Sequence, residues 1–169
     1  MEKKHKKYKP AKFPENIVEE PAVAYNTAFD RLHSPLTLMG LAHEGMQSST
    51  DFITHIRAGI PKKALDHLAH IIGFSDSELA GILHTSDRTL RRYTPAQKLN
   101  AEQSERVIEL ARLYTRGAEV FDNLEQFKTW MATPVDALGA KPPKEFLDTS
   151  IGIGLLMDEL GRIEHGIFA

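Results

Sequence analysis

The sequence has no cysteine among its 169 residues. That excludes disulfide scaffolds, thiolate zinc sites and cysteine nucleophiles, and it fits a reducing compartment. It has no run of 18 apolar residues, so no membrane-spanning helix is expected. The N-terminus is basic, but no apolar segment follows it. It does not read as a secretory signal, and the cytoplasm is the default expectation. Aromatic residues are sparse at 8%, with a single tryptophan. Alternating strand patterns and internal repeats are also missing, which leaves helices to build the fold. No set of nucleophile, base and orienting group can be placed, so an enzyme is the least favoured class and no cofactor is expected.

What is present is charge, unevenly divided. The net charge is −2. Residues 1–12 hold Lys3, Lys4, Lys6, Lys7, Lys9 and Lys12 against Glu2, a net of +5. Residues 101–169 carry 7 basic and 12 acidic groups, a net of −5. A lysine block of this density repels itself and buries nothing, so residues 1–15 are expected to form a disordered basic arm. The arm suits nucleic-acid phosphates or serves as a solubilising tail. Pro10, Pro14 and Pro21 keep residues 8–24 out of regular helix. Residues 35–46 fit a helix or a strand.

From residue 47 the pattern is helical. A short helix over 50–58 stops at Gly59. Pro61 fits a first helical position, and Leu65, Leu68, Ala69 and Ile72 follow before Gly73. Three capping boxes are expected: Ser75 with Glu78, Asn100 with Gln103, and Asn123 with Gln126. Val107, Leu110, Ala111 and Tyr114 form one apolar stripe. Phe127, Trp130 and Met131 form another, ended by Pro134, with Trp130 read as core. Ile151, Leu155, Leu156, Leu160 and Ile163 fall near one face of a last helix. The predicted class is all-α. The expected division is the arm at 1–15, an N-terminal region at 16–98, and a C-terminal domain at 99–169.

The segment SDSELAGILHTSDRTLRRY at 75–93 has the make-up of a helix-turn-helix. Leu79 and Leu83 pack inward from the first helix, and Ala80 is the small residue at the crossing. His84 and Thr85 make the turn, and Ser86 caps the second helix. Leu90 and Tyr93 pack inward, leaving Asp87, Arg88, Thr89, Arg91 and Arg92 outward. His84 stands where glycine is usual, and histidine accepts a left-handed backbone only at a cost. The arginines suit base edges or phosphates of DNA, and a dimer would read a palindromic operator. A protein-binding surface helix is the other reading. The candidate DNA-binding residues are Ser86, Arg88, Thr89, Arg91 and Arg92.

Other features carry less. His67 and His70 sit three apart but lack an HExxH frame, so no metal is expected. "GIG" at 152–154 follows no strand and is no dinucleotide fingerprint. Gly152 and Gly154 fit close backbone packing at a helix start.

Residues 50–169 resemble the Xre/MbcA/ParS family of type II antitoxins. The resemblance lies in "AGIPKKALDHLAHIIGFSDSELAGIL" at 58–83, "RTLRR" at 88–92 and "LNAEQSERVIELARLY" at 99–114. It continues in "AEVFDNLEQFKTWMATPVDALGAKPPKEFLDTSIG" at 118–152 and "LLMDELGRIEHG" at 155–166. It implies a homodimer that neutralises a RES-domain toxin consuming NAD⁺ or transferring ADP-ribose from it. The last helix would enter the toxin's active-site cleft, and the helix-turn-helix would repress the operon. On that basis Glu159, Arg162, Ile163, Glu164 and His165 are the candidate toxin-binding residues. The alternatives are a free-standing helix-turn-helix regulator without a toxin, and an antitoxin whose helix-turn-helix no longer binds DNA.

Overall fold

A computed structural model describes residues 34–41 and 48–166. The lysine arm, the proline-rich stretch behind it and residues 42–46 therefore lie outside the described residues. Among those described, every regular element is helical, and no helix is long and apolar enough to cross a membrane. The ambiguous stretch from residue 35 opens as a short helix, α1 (Pro35–Leu38), which buries Leu36 and Leu38. It is followed by α2 (Ser49–Ala58), α3 (Lys62–Ile72), α4 (Asp76–Ile82) and α5 (Asp87–Arg92). Then come α6 (Ala101–Val120), α7 (Leu124–Ala132) and α8 (Ser150–Glu164). Two 3-10 turns, Asp136–Leu138 and Pro143–Phe146, bridge α7 to α8.

Local chemistry places most of these boundaries. Ser75 and Glu78 form a complete capping box, as do Asn100 and Gln103. Ser48 and Asp51 form another at the head of α2. At α7 only half of the expected box is formed: Asn123 Oδ1 accepts from the Gln126 N–H. Pro61 is the cap of α3 rather than its first residue, because its ψ of 145° is still extended. Gly73 then ends α3 in a left-handed conformation.

The 20-residue α6 is the axle. It is about 30 Å long at 1.5 Å per residue, and α1, α2, α7 and α8 pack around it. Val107, Leu110, Ala111 and Tyr114 are all buried on it, as the stripe requires. One continuous core runs from Leu36 to Leu160, so both ends of the chain share it. An aromatic cluster closes the α6–α7 corner. Tyr114 meets Phe127 edge-on at 5.1 Å, and Trp130 stacks on Phe127 at 5.7 Å. Trp130 is half-buried against this core.

The segment 60–63 is stitched to 95–99. Lys62 N–H donates to Gln97 O, Lys63 N–H to Pro95 O, and Leu99 N–H to Ile60 O, all within 2.9 Å. The helices α3 to α5 thus leave and return at one point.

The last helix is rotated from the expected face. Ile153, Leu156 and Leu160 point inward, while Ile151 is 87% exposed and Leu155 37%. The cause lies before α8, where the Phe146 carbonyl packs against Gly152 so closely that a side chain there would collide with it. Gly152 therefore has its packing role. Gly154 does not, because the space a Cβ would occupy there is open.

Candidate functional site

The helix-turn-helix is formed by α4 and α5. Ser75 Oγ accepts from the Glu78 N–H, and the Glu78 carboxylate accepts from the Ser75 N–H at 2.9 Å. The Ser75 backbone N–H first, and then the Ser75 hydroxyl, which donates to the same carboxylate at 2.7 Å, hold the Glu78 carboxyl below its ordinary range, with Lys144 adding a smaller pull. Leu79, Ala80, Leu83 and Leu90 are buried, so the crossing is locked by the residues the pattern assigned to it. His84 adopts φ +50° at the turn, where a glycine would be unstrained. The Thr85 N–H returns to Ala80 O at 2.9 Å.

The candidate DNA-binding residues divide into two kinds. Ser86 Oγ accepts from the Thr89 N–H at 3.0 Å, and the two hydroxyls pair at 2.7 Å, so both serve the cap of α5. Arg91 Nε donates to Asp87 at 2.8 Å and lies 3.7 Å from Asp76, so its charge is partly answered. Arg88 and Arg92 are exposed and form no ion pair among the described residues. Four residues apart on a helix, they share a face. Together they place two guanidinium groups, without ion-pair partners among the described residues, on one exposed side of α5.

The second candidate site is the end of α8. Glu159 is only 8% exposed and accepts from Arg162 at 2.5 Å. Ile163 is half-buried, while Arg162, Glu164 and His165 are exposed. Glu164 is paired with Arg116 of α6, which also holds Glu119 at 3.3 Å. Burial alone would lower the Arg116 pKa, but its bonds to Glu164 and Glu119 raise it instead. Arg116 thus ties the last turn of α8 to the axle. At the other end of α8, Arg106 donates to Ser150 Oγ at 2.9 Å, and Ser150 donates to Glu109 at 3.1 Å. Neither clamp was expected from sequence, since partners 41 to 48 residues apart leave no local signal. No group of three or more metal-ligating side chains occurs among the described residues.

Comparison with known proteins bears on both sites. Residues 51–112 match the antitoxin Xre-like helix-turn-helix domain, and residues 116–166 match the antitoxin Xre/MbcA/ParS C-terminal toxin-binding domain. An antitoxin Xre of Yersinia enterocolitica (serotype O:8 / biotype 1B) is 28% identical over 122 residues. That spans 71% of this chain and 82% of the relative. An antitoxin Xre of Photorhabdus laumondii is 28% identical over 114 residues, spanning 66% of this chain and 77% of the relative. A Prs ADP-ribosylating antitoxin of Sphingobium sp. (strain YBL2) is 27% identical over 132 residues, covering 72% and 83%.

A helix-turn-helix joined to a helical toxin-binding domain defines an antitoxin of a toxin–antitoxin system. The chain belongs to the Xre/MbcA/ParS family of antitoxins. The two matched segments meet inside α6, between Arg112 and Arg116.

Proposed function

We propose that this antitoxin neutralises a RES-type toxin by occluding its NAD⁺ site, and that it dimerises and represses its own operon. The observation that carries the reading is the toxin-binding domain itself, with its last helix clamped at both ends to α6. A pre-ordered helix loses little entropy on entering a cleft. Arg162, Glu164 and His165 then meet the toxin from the exposed last turn, with Ile163 beside them. Glu159 acts one step back by orienting Arg162. The net acidity of residues 101–169 suits a pocket built to hold dinucleotide phosphates, which speeds association and sharpens specificity. A relative named as a Prs ADP-ribosylating antitoxin supports a toxin chemistry that draws on NAD⁺.

In the proposed division the reading head lies within 16–98 and the toxin-binding and dimerisation part within 99–169. Arg88 and Arg92 carry operator contact, helped by Arg91, while Ser86 and Thr89 keep the helix start rigid. Two such heads on a dimer read two half-sites of a palindrome.

The test expresses the adjacent reading frame alone and with this chain, following growth and cellular NAD⁺. Arrest with NAD⁺ loss, relieved by the full chain and not by one ending at Gly152, is the expected result. Arrest with stable NAD⁺ would point to another toxin chemistry. A harmless neighbour would favour a free-standing regulator.

A further inference from the structure

His84 occupies a backbone conformation that costs energy for any residue with a Cβ. Glycine would hold the same turn without strain, so the fold of the turn does not account for the imidazole. The side chain does have a partner. Its Nε2–H donates to the carbonyl oxygen of Asp148 at 2.9 Å, 64 residues away in sequence. Asp148 directly precedes Thr149, the cap of α8, whose hydroxyl accepts from the Gly152 N–H at 3.0 Å. Phe146, two residues before Asp148, packs its carbonyl on Gly152. The acceptor therefore belongs to a stretch that α8 holds in place. Glu78 of α4 also lies near enough to Lys144 of this stretch to feel its charge.

We infer that His84 is a positioning residue that fixes the angle of the reading head against the C-terminal domain, and so sets the half-site spacing the dimer accepts. This rests on the proposed DNA binding and on dimerisation through the C-terminal domain. Two heads on one dimer tolerate only spacings that bring both recognition helices into successive major grooves. A head that shifts as a unit against the C-terminal domain would accept several spacings. The His84 bond restrains that shift by tying the turn between α4 and α5 to the stretch before α8.

The experiment selects bound sequences from random duplex DNA with the full-length protein and with His84→Gly and His84→Asn. Both replacements tolerate the left-handed turn, and neither is long enough to make the same bond. Agreement between them separates loss of the bond from glycine's own flexibility. The wild type should enrich paired half-sites at one spacing. Both variants should enrich the same half-site, with the preference for that spacing over its neighbours reduced about three- to tenfold, the scale of one hydrogen bond. Undiminished spacing preference in the variants overturns the inference and leaves DNA binding standing. Enrichment of single, unpaired half-sites by the wild type also overturns it. Enrichment of nothing by the wild type overturns the DNA-binding reading and the inference with it.

Discussion

A methyl group added at Gly117 of α6 should act in the opposite direction to one added at Gly154 or Gly161 of α8. In a helix interior alanine is favoured over glycine by about 1 kcal/mol. At Gly154 and Gly161 of α8, a Cβ would meet open space. Nothing offsets the propensity there, so each alanine should stabilise by about 0.5–1 kcal/mol. At Gly117 of α6, the same Cβ would lie only 2.4–2.5 Å from three atoms of the Phe127 ring, far inside van der Waals contact. Phe127 is 0% exposed and is held by Tyr114 at 5.1 Å, Phe121 at 5.8 Å and Trp130 at 5.7 Å. With no room to turn aside, the overpacking cost should reach the upper end of the usual range, about 3 kcal/mol. The propensity gain leaves a net loss of about 2 kcal/mol. In a chain of this length 1 kcal/mol moves Tm by about 2–4 °C. Gly117→Ala should thus melt about 4–8 °C lower, while the other two rise by a few degrees. Combining Gly117→Ala with Phe127→Leu should recover part of the loss, because the two sites are in contact. A stabilised Gly117→Ala, or a Gly154→Ala that melts lower, would refute the reasoning.

Thr115 has a buried hydroxyl without a hydrogen-bond partner among the described residues. Thr115→Val should therefore stabilise by about 1 kcal/mol, read from the urea midpoint. The Glu78 carboxyl is held below its ordinary value of 4.5 by Ser75, so its capping contribution is complete above that pH. It is lost as pH falls through the lower folded value. The stability gap between wild type and Glu78→Gln should thus close on acidification from pH 7 toward 3. If Arg88 and Arg92 meet base edges, replacing both with alanine should cost about 1–3 kcal/mol of operator affinity for each such contact. Toxin neutralisation should stay intact, as growth rescue would show. Replacing Arg162 and Glu164 with alanine should do the reverse, and unchanged toxin inhibition would remove them from the interface.

The parts legible in the sequence were those set by neighbours in the chain. The caps of Ser75 and Asn100 act over three residues, and the stripe on α6 repeats every turn, so both could be read directly. The helix-turn-helix was legible for the same reason, down to the left-handed turn at His84. The rotation of α8 was not, because Gly152 turns inward against the Phe146 carbonyl and the core takes Ile153 beside Leu156 and Leu160. Ile151 and Leu155 looked like core and stand in solvent. At the candidate sites the residue types were visible but their commitments were not. Arg91 answers to Asp87 and Asp76, Glu159 is buried beneath Arg162, and Glu164 is taken up by Arg116. These pairings depend on helices meeting in three dimensions.

The meeting of both matched segments inside α6 restricts how lineages of this chain can change in length. Each residue added to or removed from a helix turns everything beyond it by about 100°. A single insertion between Arg112 and Arg116 would swing α7 and α8 around the axle relative to the reading head. Arg106 and Glu109 would leave Ser150, and Asp148 would leave His84. A change in the residue count of α6 should therefore cost the contacts of both halves at once, which a one-residue insertion would show as a loss of Tm. Length can drift only in the connections, and a recombinant joining two relatives must keep the helical phase across this one turn.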